Sequence, residues 1–164
     1  MERTKQEVKT GQVTLRRIEW ADFLLLMAWR SLPHVYETMV ECPYPPSEEM
    51  VAEWMGSYIN DPEKKFGGLD IIEVDSKPVG YVLGRNYLDG VPEVGVVIGD
   101  RDYWSVGVAK EAARLGYEIL RGLGFRKVQA VTKVGNAEVE NFIEDSGFQQ
   151  IYSDPQIKRW LKEL

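Results

Sequence analysis

Cysteine and histidine are nearly absent from this chain: Cys42 and His34 are the only ones among 164 residues. A single cysteine excludes an internal disulfide, and one cysteine with one histidine leaves too few soft ligands for a zinc site. No metal is therefore expected. Long apolar runs are also missing. The stretch from Phe23 to Met27 is far too short to span a bilayer, so no membrane association is expected. No cluster of basic residues is present, and the formal charge is −6 with a pI near 5.0. That argues against nucleic acid as a partner, because nothing neutralises a row of phosphates. Residues 1–11 are charged and carry no apolar region, which reads as a polar N-terminal tail rather than a secretory signal. A cytoplasmic protein is expected.

What is present suffices for one domain, expected over residues 12–164. The chain is 44% hydrophobic, enough to bury a core. Val13–Arg16 alternates like a strand. From Glu19 to Arg30, the residues Trp20, Phe23, Leu24, Met27 and Ala28 repeat at helical spacing, and Leu32-Pro33 is read as the stop. Tyr44-Pro45-Pro46 is a rigid break. Ser47 can then cap a helix reaching Tyr58, with Met50, Val51, Trp54, Met55 and Tyr58 on one side. Residues 69–74 and 78–84 read as strands joined by the hairpin signal Asp75-Ser76-Lys77. After a connection over 86–91 a third strand begins near Glu93. Later come a strand at 127–131, a helix at 136–146 and a strand from Gly147 to about Tyr152. At the C-terminus two readings stay open. Ile157, Trp160, Leu161 and Leu164 have helical spacing after Pro155, and a final strand is the alternative.

The stretch from Glu93 to Gly124 is the most informative. Val94-Gly95-Val96-Val97-Ile98 has the composition of a buried strand. Val108, Ala112, Leu115 and Ile119 have helical spacing, and Gly124 stands where a helix C-terminal glycine belongs. Between them lies a turn of small residues, Ser105 to Ala109. A helix N-terminus offers unpartnered N–H groups and the positive end of the dipole, and Gly107 and Ala109 let an anion approach the backbone. Neither G-x-x-x-x-G-K-[ST] nor G-x-G-x-x-G is present. By spacing alone the turn reads equally as a phosphate cradle or as a plain connection.

The same stretch resembles the coenzyme A loop of the GNAT acyltransferases. Their [Q/R]-x-x-G-x-[G/A] falls on Trp104 to Ala109, with Trp104 in place of the usual Arg or Gln. The longer form Y-W-x-x-G-x-A-x-E-A is matched by Tyr103, Trp104, Gly107, Ala109, Glu111 and Ala112. It is found in the branch acting on ribosomal-protein N-termini, small amines and amino sugars. The closing pattern N-x-x-[SA]-x-x-x-x-[EQ]-[KR]-x-G-F is met by Asn136, Glu144, Gly147 and Phe148. Val139 stands where Ser or Ala is usual. Ile143 stands where many members carry the Tyr that protonates the departing thiolate.

The resemblance implies an α/β (α+β) fold with a mixed, mostly antiparallel central sheet and helices on both faces. It also implies acetyl-CoA as cosubstrate and an amine-bearing acceptor. Glu93 would be the catalytic base for direct attack, because an alkylamine with a pKa of about 10 must lose a proton first. Main-chain groups near Val97 and Gly99 would meet the thioester and pantetheine. Amides of Val106, Gly107, Val108, Ala109 and Lys110 would hold the pyrophosphate, and Asn136 would contact the pantetheine or thiol. Arg30, His34 and Tyr36 are the candidates for binding the acceptor. Each has a plainer reading: Glu93 as a surface charge, Asn136 as a helix cap, Arg30 as half of an ion pair, His34 as a loop residue. With Ile143 apolar, water, Tyr103 or Tyr152 is left to protonate the thiolate. Two functions are weighed: an N-acetyltransferase, and a weakly catalytic acyl-CoA-binding module serving as a sensor or partner-binding domain. A homodimer stays open.

Overall fold

The computed structural model describes residues 12–60, 68–86, 88–104 and 107–164. The expected tail over 1–11 and the turn residues Ser105 and Val106 lie outside them. The described chain runs β1 (Val13–Arg17), α1 (Phe23–Arg30), α2 (Pro33–Tyr36), α3 (Glu48–Ile59), β2 (Leu69–Val74) and β3 (Lys77–Asn86). It continues through β4 (Pro92–Ile98), α4 (Val108–Gly122), β5 (Lys127–Lys133), α5 (Ala137–Asp145), β6 (Gln149–Ser153) and β7 (Ile157–Glu163).

The strands form one seven-stranded sheet in the order β1-β2-β3-β4-β5-β7-β6. Every neighbouring pair is antiparallel except β4 and β5, which are parallel across the α4 connection. Asp75 and Ser76 adopt φ of 49° and 66°, the double left-handed geometry of a tight hairpin between β2 and β3. Side chains alternate across the sheet. Ile71 and Tyr81 pack with Leu26, Trp29, Val51 and Met55 beneath α1 and α3, while Ile72 and Val82 pack with Val108 and Ala112 beneath α4. A third cluster joins Ala113, Tyr117, Val128, Phe148 and Trp160, with Ile143 of α5 against it. Helices therefore cover both faces, as expected.

The C-terminal ambiguity resolves as a strand. β7 lies between β5 and β6, and Trp160 is buried with its indole N–H donating to Thr132 Oγ1 at 2.9 Å. Pairing along the whole of β5 overrides the helical spacing of its apolar residues. Ser47 caps α3 as expected, its Oγ accepting from the Met50 N–H at 3.2 Å. Gly124, at φ 93°, ends α4, with Phe125 N–H reaching Leu120 O and Gly124 N–H reaching Arg121 O.

One reading is extended and three are corrected. Pro33 does not merely stop α1; it opens α2, where its fixed φ suits a first helical position. The chain enters α1 through a 3₁₀ turn, with the Glu19 N–H bonded to Asp22 Oδ2 at 2.9 Å, and this tighter turn shifts the helical phase. Leu26 and Trp29 are buried as a result, while Trp20 and Leu24 are exposed. In α4 the buried face is Val108, Ala112, Ala113, Gly116, Tyr117 and Leu120, with Ile119 outside it. Small residues at 112, 113 and 116 bring the helix close to the sheet, and of these the apolar spacing includes only Ala112. Met50 likewise points outward from α3.

Candidate active site

The site is built around β4. On its β3 side, residues Pro92 to Ile98 are all in register. On its β5 side, the register is a single pair, Glu93 opposite Gln129. Both strands continue past that pair, so they part and leave the β4 edge from Val94 to Ile98 without a β5 partner. Main-chain N–H and C=O groups that β5 does not take suit an amide-rich ligand, apart from the Ile98 carbonyl, which Trp104 holds. The register thus leaves main-chain groups beside Val97 outside any β4–β5 pairing.

Alternation along β4 turns Glu93 and Val97 toward α1 and α3. Tyr81, the strand partner of Val97, lies in the core cluster beneath those helices. Glu93 is buried rather than a solvated surface charge. Its Oε2 accepts from Arg85 Nε at 2.7 Å, and Arg85 Nη1 continues to Glu41 Oε2 at 2.9 Å. Tyr58 lies within electrostatic reach of all three charges; burial pushes its phenol up to about 12.

Beyond the far end of β4, Gly99 is pinned. Its N–H donates to Val79 O at 2.9 Å, and a Cβ there would lie 2.2 Å from the Trp29 ring. Its amide is therefore committed to the fold, and the absent side chain makes room for an indole. Trp104 Nε1–H donates to Ile98 O at 2.9 Å, and His34 meets the Trp104 ring edge-on at 4.6 Å. His34 is no free loop residue. Burial and the nearby Arg101 hold its imidazole below the ordinary value, opposed by the Gly99 backbone, and this lowering favours the neutral ring. Its Nε2 is buried without a partner.

Arg30 sits between these ends, its Cζ 4.9 Å from the centre of the Trp54 ring. Its described contacts are aromatic rather than the carboxylate of an ion pair. Tyr36 closes α2, half-buried. Arg30, His34 and Tyr36 thus share the α1–α2 corner without forming a single cluster.

α4 begins beyond the wedge. Gly107 is its N-cap with φ 85°, a left-handed conformation that a side chain would strain. The first helical bond runs from Glu111 N–H to Gly107 O, so the N–H groups of Val108, Ala109 and Lys110 precede the bonded ladder. The negative Glu111 in this first turn is drawn to Arg114, whose Nη2 lies 2.6 Å from Oε1, and the pair holds its carboxyl below the usual range. Val106 falls outside the described residues. Asn136 acts as the cap of α5, its Oδ1 accepting from Val139 N–H at 3.3 Å, which leaves its amide N–H₂ for other uses.

Of the candidates for protonating the thiolate, Tyr152 is exposed on β6 with its hydroxyl on Asp154 at 3.0 Å, and Tyr103 is buried beneath α4. The residues missed from sequence are Arg85, Glu41 and Tyr58. Only Arg85 had a readable signal, since a hairpin-like return from residue 85 to residue 93 sets the two opposite each other.

A backbone wedge, a buried carboxylate beside it and a glycine-capped helix start beyond it are thus brought together along β4. A sequence model of the acetyltransferase (GNAT) domain matches residues 12–149. An uncharacterized protein of Methanocaldococcus jannaschii is 24% identical over 94% of this chain, which spans only 31% of that relative. The crystal structure of spermidine N-acetyltransferase from Vibrio cholerae with CoA and spermine superposes with a TM-score of 0.78 at 20% identity. The match covers 93% of this chain and 96% of that one. A ribosomal-protein alpha-N-acetyltransferase in complex with coenzyme A gives a TM-score of 0.75 at 12% identity over 97% of each chain. These structural likenesses are of fold. Among the described residues, no helix is long and apolar enough to cross a membrane.

Proposed function

The chain belongs to the GNAT acetyltransferase family, and on that premise we propose that it moves an acetyl group from acetyl-CoA to a primary amine by direct attack. The observation that carries this reading is the parting of β4 from β5 immediately past a buried carboxylate. Acetyl-CoA supplies the activated acetyl thioester. The open β4 edge near Val97 pairs with its amide-rich arm, and the N–H groups of Gly107 to Lys110 hold its pyrophosphate. Gly99 shapes the end of the wedge by admitting Trp29. Asn136 lends its amide N–H₂ to the pantetheine or thiol.

Glu93 takes the proton from the acceptor ammonium, directly or through one water, so that the nitrogen lone pair can form the new C–N bond as the C–S bond breaks. The proton returned to sulfur comes from solvent, because Ile143 is apolar and Tyr152 is engaged elsewhere. Arg30, His34 and Tyr36 bound the acceptor side, where the neutral His34 Nε2 accepts a hydrogen bond. Relatives of this fold act on spermidine and on a ribosomal protein, which supports an amine acceptor.

A second reading, an acyl-CoA-binding module with little turnover, draws on Ile143 and on the prior engagement of Glu93 by Arg85. Thermal unfolding with acetyl-CoA, against ATP and NAD, tests the shared part. A ligand at about 100 times its Kd adds about 2.7 kcal/mol. A shift with acetyl-CoA alone is expected, and its absence rejects both readings. Acetylation of a panel of amines then separates them.

A further inference from the structure

The cation beside Glu93 is itself held by a second carboxylate from far along the chain. Arg85 is the β3 partner of Glu93 in the register. Its Nε is 2.7 Å from Glu93 Oε2 and its Nη1 is 2.9 Å from Glu41 Oε2. A guanidinium is planar and rigid, so what holds one end orients the other. Glu41 lies on the segment between α2 and α3, and the same segment is anchored again at Glu37, whose carbonyl accepts from Lys133 Nζ of β5 at 2.9 Å. Residues 37–41 are thus tied to β3 on one side of the β4 wedge and to β5 on the other. The burial of the two carboxylates differs sharply: the Glu93 side chain is 9% exposed and that of Glu41 is 63% exposed. An exposed pair adds little to stability, whereas a buried carboxylate needs its partner. The Glu41 contact is therefore not explained by folding.

We propose that Arg85 is a positioning residue for acyl transfer, fixing the Glu93 carboxylate through Nε and coupling it through Glu41 to the segment 37–41 on the acceptor side. This rests on the reading of Glu93 as the base. Among the described residues one positive charge stands between two negative ones, a balance that suits an incoming ammonium. An acceptor that meets Glu41 moves the guanidinium, and with it the carboxylate that receives the proton.

The test compares Arg85→Met, Arg85→Lys, Glu41→Gln and Glu93→Gln with the parent on a polyamine, an amino sugar and a peptide N-terminus. Readouts are kcat, acceptor KM, Tm and the acetyl-CoA-induced shift in Tm. Arg85→Met should lower kcat by about 100-fold, the cost of a misplaced catalytic group. Arg85→Lys should recover part of it, since an ammonium reaches Glu93 without a rigid plane. Glu41→Gln should raise acceptor KM by about 3–10-fold while Tm moves by no more than about 2 °C. All variants should keep the acetyl-CoA shift. An Arg85→Met enzyme within about twofold of the parent kcat, or an unaltered acceptor KM in Glu41→Gln, overturns the proposal. If Arg85→Met fails to fold, the lysine and Glu41 variants decide. An active Glu93→Gln removes the base reading itself, and a parent that acetylates none of the amines removes both.

Discussion

The two edges of β4 are made from the same seven residues and have opposite fates. Toward β3 every residue has a partner; toward β5 only Glu93 does. The paired edge is close-fitting. Gly80 lies so near the Val97 carbonyl that a Cβ would sit 2.1 Å from it, and the main chain there has no room to yield. The open edge is where charge, aromatic rings and the start of α4 gather. One edge holds the strand still so that the other can be left unsatisfied. Substitutions that crowd the backbone of the paired edge should therefore act on stability, and those at the carboxylate where the other edge opens on chemistry.

The largest effect should come from Glu93, the last residue paired on both sides before the edge opens. Glu93→Gln is expected to lower kcat by about 10²–10⁴-fold, the usual contribution of a general base, with acetyl-CoA affinity retained. Steady-state rates beside calorimetric binding check it. A large fall in Tm with a preserved rate would reverse the assignment of the two edges.

Gly80→Ala probes the paired edge. Forcing a methyl against the Val97 backbone should cost about 2–3 kcal/mol, a fall in Tm of about 5–10 °C. The fraction that remains folded should turn over at the parent rate.

Asp70 gives a smaller and pH-dependent effect. It is buried on the α4 face beside a cavity of about 10 Å³, and burial pushes its carboxyl up to about 6 from 3.8, opposed by Arg17. The folded chain therefore holds this proton more tightly than the unfolded chain does. Asp70 costs nothing below about pH 3.8, costs progressively more up to pH 6, and costs its full amount above that. The gap is worth about 3 kcal/mol at most. Asp70→Asn should raise Tm by about 3–6 °C at pH 8, and the gain should vanish near pH 4. A gain independent of pH would mean that ionisation is not the cause.

Trp104→Phe is the mildest. It removes the indole N–H from the Ile98 carbonyl, worth about 1 kcal/mol or 2–4 °C, and retains the ring beside His34. A hydrogen-exchange loss confined to the end of β4 would place that bond on the open edge.

The alternating and capped elements were legible because their causes are local. Ser47, Gly124 and the Asp75-Ser76 hairpin act within a few residues. The faces of α1 and α4 were misassigned for equally physical reasons. Phe23 to Trp29 is apolar all round, so the 3₁₀ entry rather than hydrophobicity chooses which residues go inside. At the site, the resemblance draws attention to the turn before α4 and to Glu93. The partners of Glu93 are harder to read: only the hairpin-like return from residue 85 to residue 93 hints at Arg85, and Glu41 joins through a loop 44 residues away. The trade of Gly99 with Trp29 is likewise a tertiary fact.

The place of β7 bears on how the molecule assembles. It follows β5 and β6 in the chain yet lies between them, so that half of the sheet cannot zip up in sequence order. β1 can wait, but β2, β3 and β4 close through short reversals and form a nucleus of low contact order. β5 gains its long neighbour only when residues 157–163 slot in. The wall that parts from β4 is thus expected to be among the last to acquire protection in a refolding experiment.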